Sequence, residues 1–119
     1  MQAGQGWRRT QMPRLSIYFT EERMPAKDSL DALTERCAVL CTDVLGAALD
    51  NVHILYLAAR QGRGHPASAE LSYRLGPERT PELMDEFMRQ LDLAIQVHAG
   101  LTARIRCFGY ANDSLHARN

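Results

Sequence analysis

Residues 14–19 read "RLSIYF" and residues 70–75 read "ELSYRL". Both alternate apolar with polar side chains, the period of a strand that buries one face. In the first, Leu15, Ile17 and Phe19 share a side; around the second, Ala69, Leu71, Tyr73 and Leu75 do. Each is followed by a helical pattern and then by another strand-like run, "NVHILYLAA" at 51–59 and "TARIRCFGYA" at 102–111. The chain therefore writes strand-helix-strand twice.

The helices are read from their stripes. In "DSLDALTERCAVLCTDVLGAAL" (28–49), Leu30, Leu33, Cys37, Leu40, Cys41, Val44 and Ala48 recur at helical spacing, with Asp28 or Ser29 as the expected N-cap. The second helix opens on "TPEL", with Thr80 as N-cap, Pro81 at the first helical position and Glu82 behind it. Its stripe is Leu83, Phe87, Leu91 and Ile95, and Gly100 is the expected stop. "NVHILYLAA" is almost continuously apolar, which predicts a central strand covered on both faces. "RQGRGHPA" (60–67) reads as an exposed loop. On the last strand Arg104 and Arg106 fall on one face, Ile105 and Cys107 on the other.

Parallel strands joined through a helix cross over with a right hand. The expected class is α/β (α+β): duplicated β-α-β units forming a four-stranded mixed sheet with two helices on one face. One such layer leaves the second sheet face bare, and these strands are too apolar for that, so oligomerisation is expected.

The totals narrow the function classes. At 119 residues the chain is one domain with one core. The formal charge is zero, which points to neither nucleic acid nor an acidic membrane surface. No apolar stretch is long enough to span a bilayer, and no leader opens the sequence, so a cytoplasmic location is expected. Cys37, Cys41 and Cys107 lack the spacing of a disulfide framework or a zinc site and read as small apolar side chains. No metal and no cofactor is expected.

Met-Pro ahead of an alternating strand, in "MPRLSIYFTEER" (12–23), resembles the start of 4-oxalocrotonate tautomerase and its relatives in the tautomerase superfamily. Counted from Pro13, Arg23 falls at the spacing of that family's substrate-binding arginine. His53 stands where the family places a second one. "GPERTPELMDEF" (76–87) is similar to the second half of malonate semialdehyde decarboxylase, where Arg79 matches an active-site arginine. The tail resembles the last strand of macrophage migration inhibitory factor (MIF) and 5-carboxymethyl-2-hydroxymuconate isomerase. The other family with this element order is ferredoxin-like. A trimer would favour the tautomerase architecture and a dimer the ferredoxin-like one.

The resemblance implies a homotrimer acting on a small anionic carboxylate, with Pro13 as base. A secondary amine at a chain end titrates around 8, and burial lowers that further. It can then move a carbon-bound proton near neutral pH, while arginines hold the carboxylates and stabilise an enolate. The implied substrate-binding set is Arg23, His53, Arg79, Arg106 and Phe108. Arg60, Arg63 and His65 read as a loop that gates an anion or as solvated charge.

Residues 1–11 stand before Met12, and inside a chain Pro13 carries only an amide nitrogen, with no basicity. Two readings stay open. Translation begins at Met12, as a Trp7-Arg8 pair encoded TGG-AGG would suggest, and residues 1–11 are a start-site artefact ahead of a single domain at 12–119. Alternatively residues 1–11 are a real, disordered extension, and the chain is a non-catalytic oligomer that binds a small anion or a partner.

Overall fold

A computed structural model describes residues 13–118, so the reading of residues 1–11 lies outside the described residues. The elements run β1 (Arg14–Thr20), α1 (Lys27–Asp43), β2 (His53–Ala59), β3 (Ala67–Arg74), α2 (Pro81–Ala99) and β4 (Ala103–Tyr110). Short 3-10 turns lie at Glu21–Arg23, Leu49–Asn51 and Asn112–Ser114. The sheet order is β2-β1-β3-β4. Within each half the strands are parallel, and the halves meet antiparallel through β1 and β3, with Leu15 opposite Leu71.

The duplicated pattern is thus present with the expected topology. The core lies between the helices and one sheet face. Leu15, Ile17 and Phe19 of β1 and Ala67, Ala69 and Leu71 of β3 meet Leu33, Cys37, Leu40 and Cys41 of α1 and Phe87, Leu91 and Ile95 of α2. The partly buried Tyr56 packs here too, its hydroxyl 2.8 Å from Thr34 Oγ1 and its ring 6.3 Å from Phe19. A phenol inside a core needs such a partner.

The α2 ends are built as expected. Thr80 accepts a hydrogen bond from the Leu83 amide at 3.2 Å, Pro81 follows, and Gly100 closes the helix in the left-handed region at φ 69. Leu83 itself is only half-buried and Met84 takes its place in the core. α1 departs from expectation at both ends. Pro25 ends the extended segment, the helix starts at once behind Ala26, and no side chain caps it. Gly46, at φ 72, breaks the helix before Ala48 can join the stripe, and Leu45 fills that place instead.

β2 is corrected in position. It is an edge strand, not a central one. Its apolar run has a different cause: Ile54 and Tyr56 pack on the core, while Leu55 and Leu57 stand 42% and 38% exposed on the face without helices. At the other edge Phe108 and Tyr110 are exposed on the same bare face.

Candidate active site

Pro13 lies at the head of β1 and is buried. Its carbonyl accepts the His53 amide at 3.1 Å, which starts the β1–β2 ladder. Arg14 pairs with Ser72, so the register continued by one places Pro13 beside Tyr73, on the helix side. Tyr73 in turn pairs with Gly109. A Cβ at Gly109 would come within 2.9 Å of the Tyr73 ring and hydroxyl and 2.6 Å of Leu75 Cδ2. The absence of a side chain at 109 is what leaves room for Tyr73 and Leu75 beside β4.

Arg79 closes this end from above. Its Nε donates to the Leu45 carbonyl at 3.1 Å and a terminal nitrogen to the Arg74 carbonyl at 2.9 Å. Its guanidinium carbon stands 5.9 Å from the Tyr73 ring centroid. A cation at the head of α2 meets the unfavourable end of that helix dipole. Leu45 resolves the difficulty, because its carbonyl follows the C-terminus of α1, where a cation is favoured. Burial lowers the Arg79 pKa, opposed by Tyr73, Glu78 and Cys41. The Tyr73 hydroxyl is pushed up, chiefly by burial, so it stays protonated as a donor.

An open cleft of about 720 Å³ runs from this point between β4 and α2. Tyr73, Arg79, Met84, Asp85 and Arg106 line it. Arg79 and Arg106, placed by the sequence on different elements, are thus brought to one cavity next to the strand end that carries Pro13. His53 and Phe108 flank the same end on the other face: the register runs His53, Arg14, Ser72, Phe108 across the four strands. Both are exposed. Arg23 is elsewhere. It follows the C-terminal end of β1, about 20 Å of extended strand away from Pro13.

The reason is legible in a repeat that extends past the strands. "LSIYFTEERMP" (15–25) and "LSYRLGPERTP" (71–81) share Leu-Ser, Glu-Arg and the closing Pro at one spacing of 56 residues. Arg79 is the counterpart of Arg23. The helices then repeat at 54: Leu33, Cys37, Leu40 and Cys41 answer Phe87, Leu91, Ala94 and Ile95, and Gly46 answers Gly100. A local twofold axis passes through the Leu15–Leu71 pair and exchanges the ends of the sheet. Arg79 therefore sits by Pro13, and Arg23 sits at the opposite end.

Two further residues matter at this end that the sequence does not single out. Tyr73 reads there only as an inward strand position. Arg74 is 3% exposed and donates to Asn112 Oδ1 at 2.7 Å, which ties the C-terminal segment to this end of the sheet, and its Nε has no partner among the described residues. The signal for both lies in continuing the β1–β3 pairing back to Pro13.

No family model matches the sequence, and no curated protein matches it. Solved structures do. Macrophage migration inhibitory factor of Toxoplasma gondii superposes with a TM-score of 0.70 at 16% identity, over 87% of this chain and 95% of that one. A MIF-like protein of Entamoeba histolytica gives 0.71 at 9%, over 90% and 96%. An asymmetric trimer of wild-type fused 4-OT gives 0.71 at 18%, over 87% and 91%. With its β-α-β unit written twice on one sheet, the chain has the fold of the MIF and 4-OT tautomerase structures.

Proposed function

We propose that the chain, when it begins at Pro13, is a tautomerase-like isomerase that moves a proton in a small anionic 2-oxo or enol acid. The observation that carries this reading is the grouping of Pro13 with Tyr73 and Arg79 at one end of a tautomerase-type sheet. A free Pro13 amine would be the base. Its buried position disfavours the charged form and keeps it available near neutral pH. Arg79 has one terminal nitrogen left after its two carbonyls, and Arg106, which leaves the edge strand β4 on the opposite face, borders the cleft at its rim. Together they would hold a carboxylate and stabilise the enolate. Tyr73, protonated, would donate to the oxygen where charge develops. In this reading Arg79 takes the part that the family resemblance gives to Arg23, while His53 and Phe108 border the entrance.

The proposed assembly is a homotrimer. The neighbours include trimers of fused 4-OT, and the bare face presents Leu55, Leu57, Phe108 and Tyr110 for covering. The alternative is a non-catalytic oligomer that binds a small anion. It is favoured by one observation: in the chain as written Met12 precedes Pro13, so its nitrogen is an amide.

The test compares chains beginning at Pro13 and at Met1 in the ketonisation of phenylenolpyruvate and 2-hydroxymuconate. Activity is expected only for the first, and Pro13→Ala in that chain should lower kcat/KM by at least about a hundredfold. Equal rates from the chain beginning at Pro13 and from its Pro13→Ala variant would refute the assignment.

A further inference from the structure

We propose that the end of the sheet opposite Pro13 is a second anion-binding cleft, one that binds a compact oxyanion and has no amine with which to transform it. A cavity of about 560 Å³ opens there between the bare sheet face and the loop after β2. Tyr18 pairs with Ser68 and Ser68 with Arg104, so their side chains form one row across three strands on the face without helices. Arg63 and His65 overhang that row. The loop is fixed at its far side, where the Thr20 amide donates to the Pro66 carbonyl at 3.0 Å.

The charge of this wall is what points to an anion. Among the described residues, no Asp or Glu lines the cavity. Among the same residues, Arg63, His65, Arg104, Tyr18 and Ser68 make no side-chain hydrogen bond or ion pair. Elsewhere on the surface three cations meet a carboxylate: Lys27 meets Asp31 at 2.8 Å, Arg89 meets Glu86 at 2.6 Å, and Arg60, beside the cavity, meets Glu21 at 3.4 Å, whereas Arg14 and Arg23 stand apart on other segments without one among the described residues. In a chain of zero formal charge, two guanidinium groups and an imidazole gathered on a wall without carboxylates leave their donors free. Guanidinium forks match the paired oxygens of a carboxylate or a phosphate, and the hydroxyls of Tyr18 and Ser68 add two more donors.

The duplication gives this cleft its relation to the rest of the molecule. The local twofold axis carries Pro13 onto Ala69 and Arg79 onto Arg23. At the Pro13 end the arginine is tied to two carbonyls. At the far end Arg23 is exposed, in an adjoining cleft of about 680 Å³ that shares Arg63 with the first and is also lined by Glu21 and Glu22. Ala69 is an internal strand residue, so its nitrogen is an amide and carries no exchangeable basic site. The repeat thus puts an arginine at each end of the sheet and no amine at the far one, and the 560 Å³ cavity beside it is lined by neither Ala69 nor Arg23.

The experiment uses the full 119-residue chain, in which Pro13 is an amide, so its result does not depend on any reaction at Pro13. Malonate and inorganic phosphate are titrated separately at low ionic strength, followed by calorimetry and by backbone amide shifts. Saturable binding is expected for at least one, with shifts at Gly62, Gly64 and Ser68, and with affinity falling as salt is added. Malonate alone, phosphate alone or both would define the ligand as carboxylate, phosphate or either. Arg104→Gln and Arg63→Gln, both exposed in the single chain, should each weaken binding at least tenfold with the solution mass unchanged. Absence of saturation with both anions overturns the proposal. So do unchanged affinity in both variants, or shifts confined to Tyr73 and Gly109. Shifts at both ends at one equivalent of ligand also overturn it, in favour of one site shared between copies.

Discussion

Arg79 holds three segments together. Its hydrogen bonds to the Leu45 and Arg74 carbonyls join the end of α1, the end of β3 and the start of α2. Removing a charged donor from two buried carbonyls leaves both unsatisfied, so Arg79→Ala is expected to cost about 2–3 kcal/mol in urea unfolding. Arg79→Lys should recover less than half, because an ammonium cannot span both carbonyls as a planar fork does. Recovery of full stability by Lys would mean that charge alone matters there. The buried thiols give a pH signature. Burial pushes Cys37 up to about 12 and Cys41 and Cys107 up to about 11. Unfolded thiols ionise near pH 8.5, so above that the unfolded chain sheds protons that the folded chain keeps. Stability is complete below about pH 8.5 and is lost as the pH rises toward 11–12. The urea midpoint at pH 10.5 should lie clearly below that at pH 7.5, and equal midpoints would show the thiols to be accessible. The three cysteines are readable as apolar from spacing alone. Arg79's carbonyl partners are not, because they belong to segments that sequence proximity does not connect.

The two helices answer one another without being equal. α2 has a capping side chain at Thr80, whereas α1 begins behind Ala26 with none. Opposite signs are therefore expected from two substitutions. Thr80→Ala should cost about 1 kcal/mol, and Ala26→Asp should gain up to about 1 kcal/mol by accepting amides that now have no side-chain partner. Thermal melts of both variants check this, and a loss in both would mean the head of α1 is held by other contacts. The sequence is most informative where local chemistry decides: Thr80, Pro81 and Gly100 each occupy the expected place. It misleads at the head of α1, where Asp28 and Ser29 have the right chemistry but Pro25 sets the start. β2 misleads for a larger reason. An apolar run records that both faces will be covered, and it does not say whether the cover comes from the same chain.

At the scale of the molecule, no element among the described residues covers the second sheet face. Leu55 and Leu57 on one edge strand and Phe108 and Tyr110 on the other leave an apolar strip at each edge of the bare face, and an assembly that joins copies edge to edge would cover both. Leu57→Glu is expected to lower the solution mass measured by light scattering while leaving the helical circular dichroism unchanged. A wild-type chain already monomeric at tens of micromolar would contradict the assembly. The duplicated unit and its mixed sheet are legible because hydrophobic period survives duplication. The pairing of Pro13 with Arg79 is harder to see, although the 56-residue spacing carries it, since strand echoes draw attention away from the "ERxP" that follows them. The Leu15–Leu71 dyad has a consequence for any ring built from this chain. Turned over, each subunit presents nearly the same outline of strands and helices, so the backbone alone hardly tells the ring's two rims apart. What tells them apart is chemical: one rim bears Pro13 and its clamped arginine, the other the loop from Arg60 to Pro66 with its unclamped ones. Such a ring is symmetric in shape and polar in its side chains, so a solute meets a different surface depending on the side from which it comes.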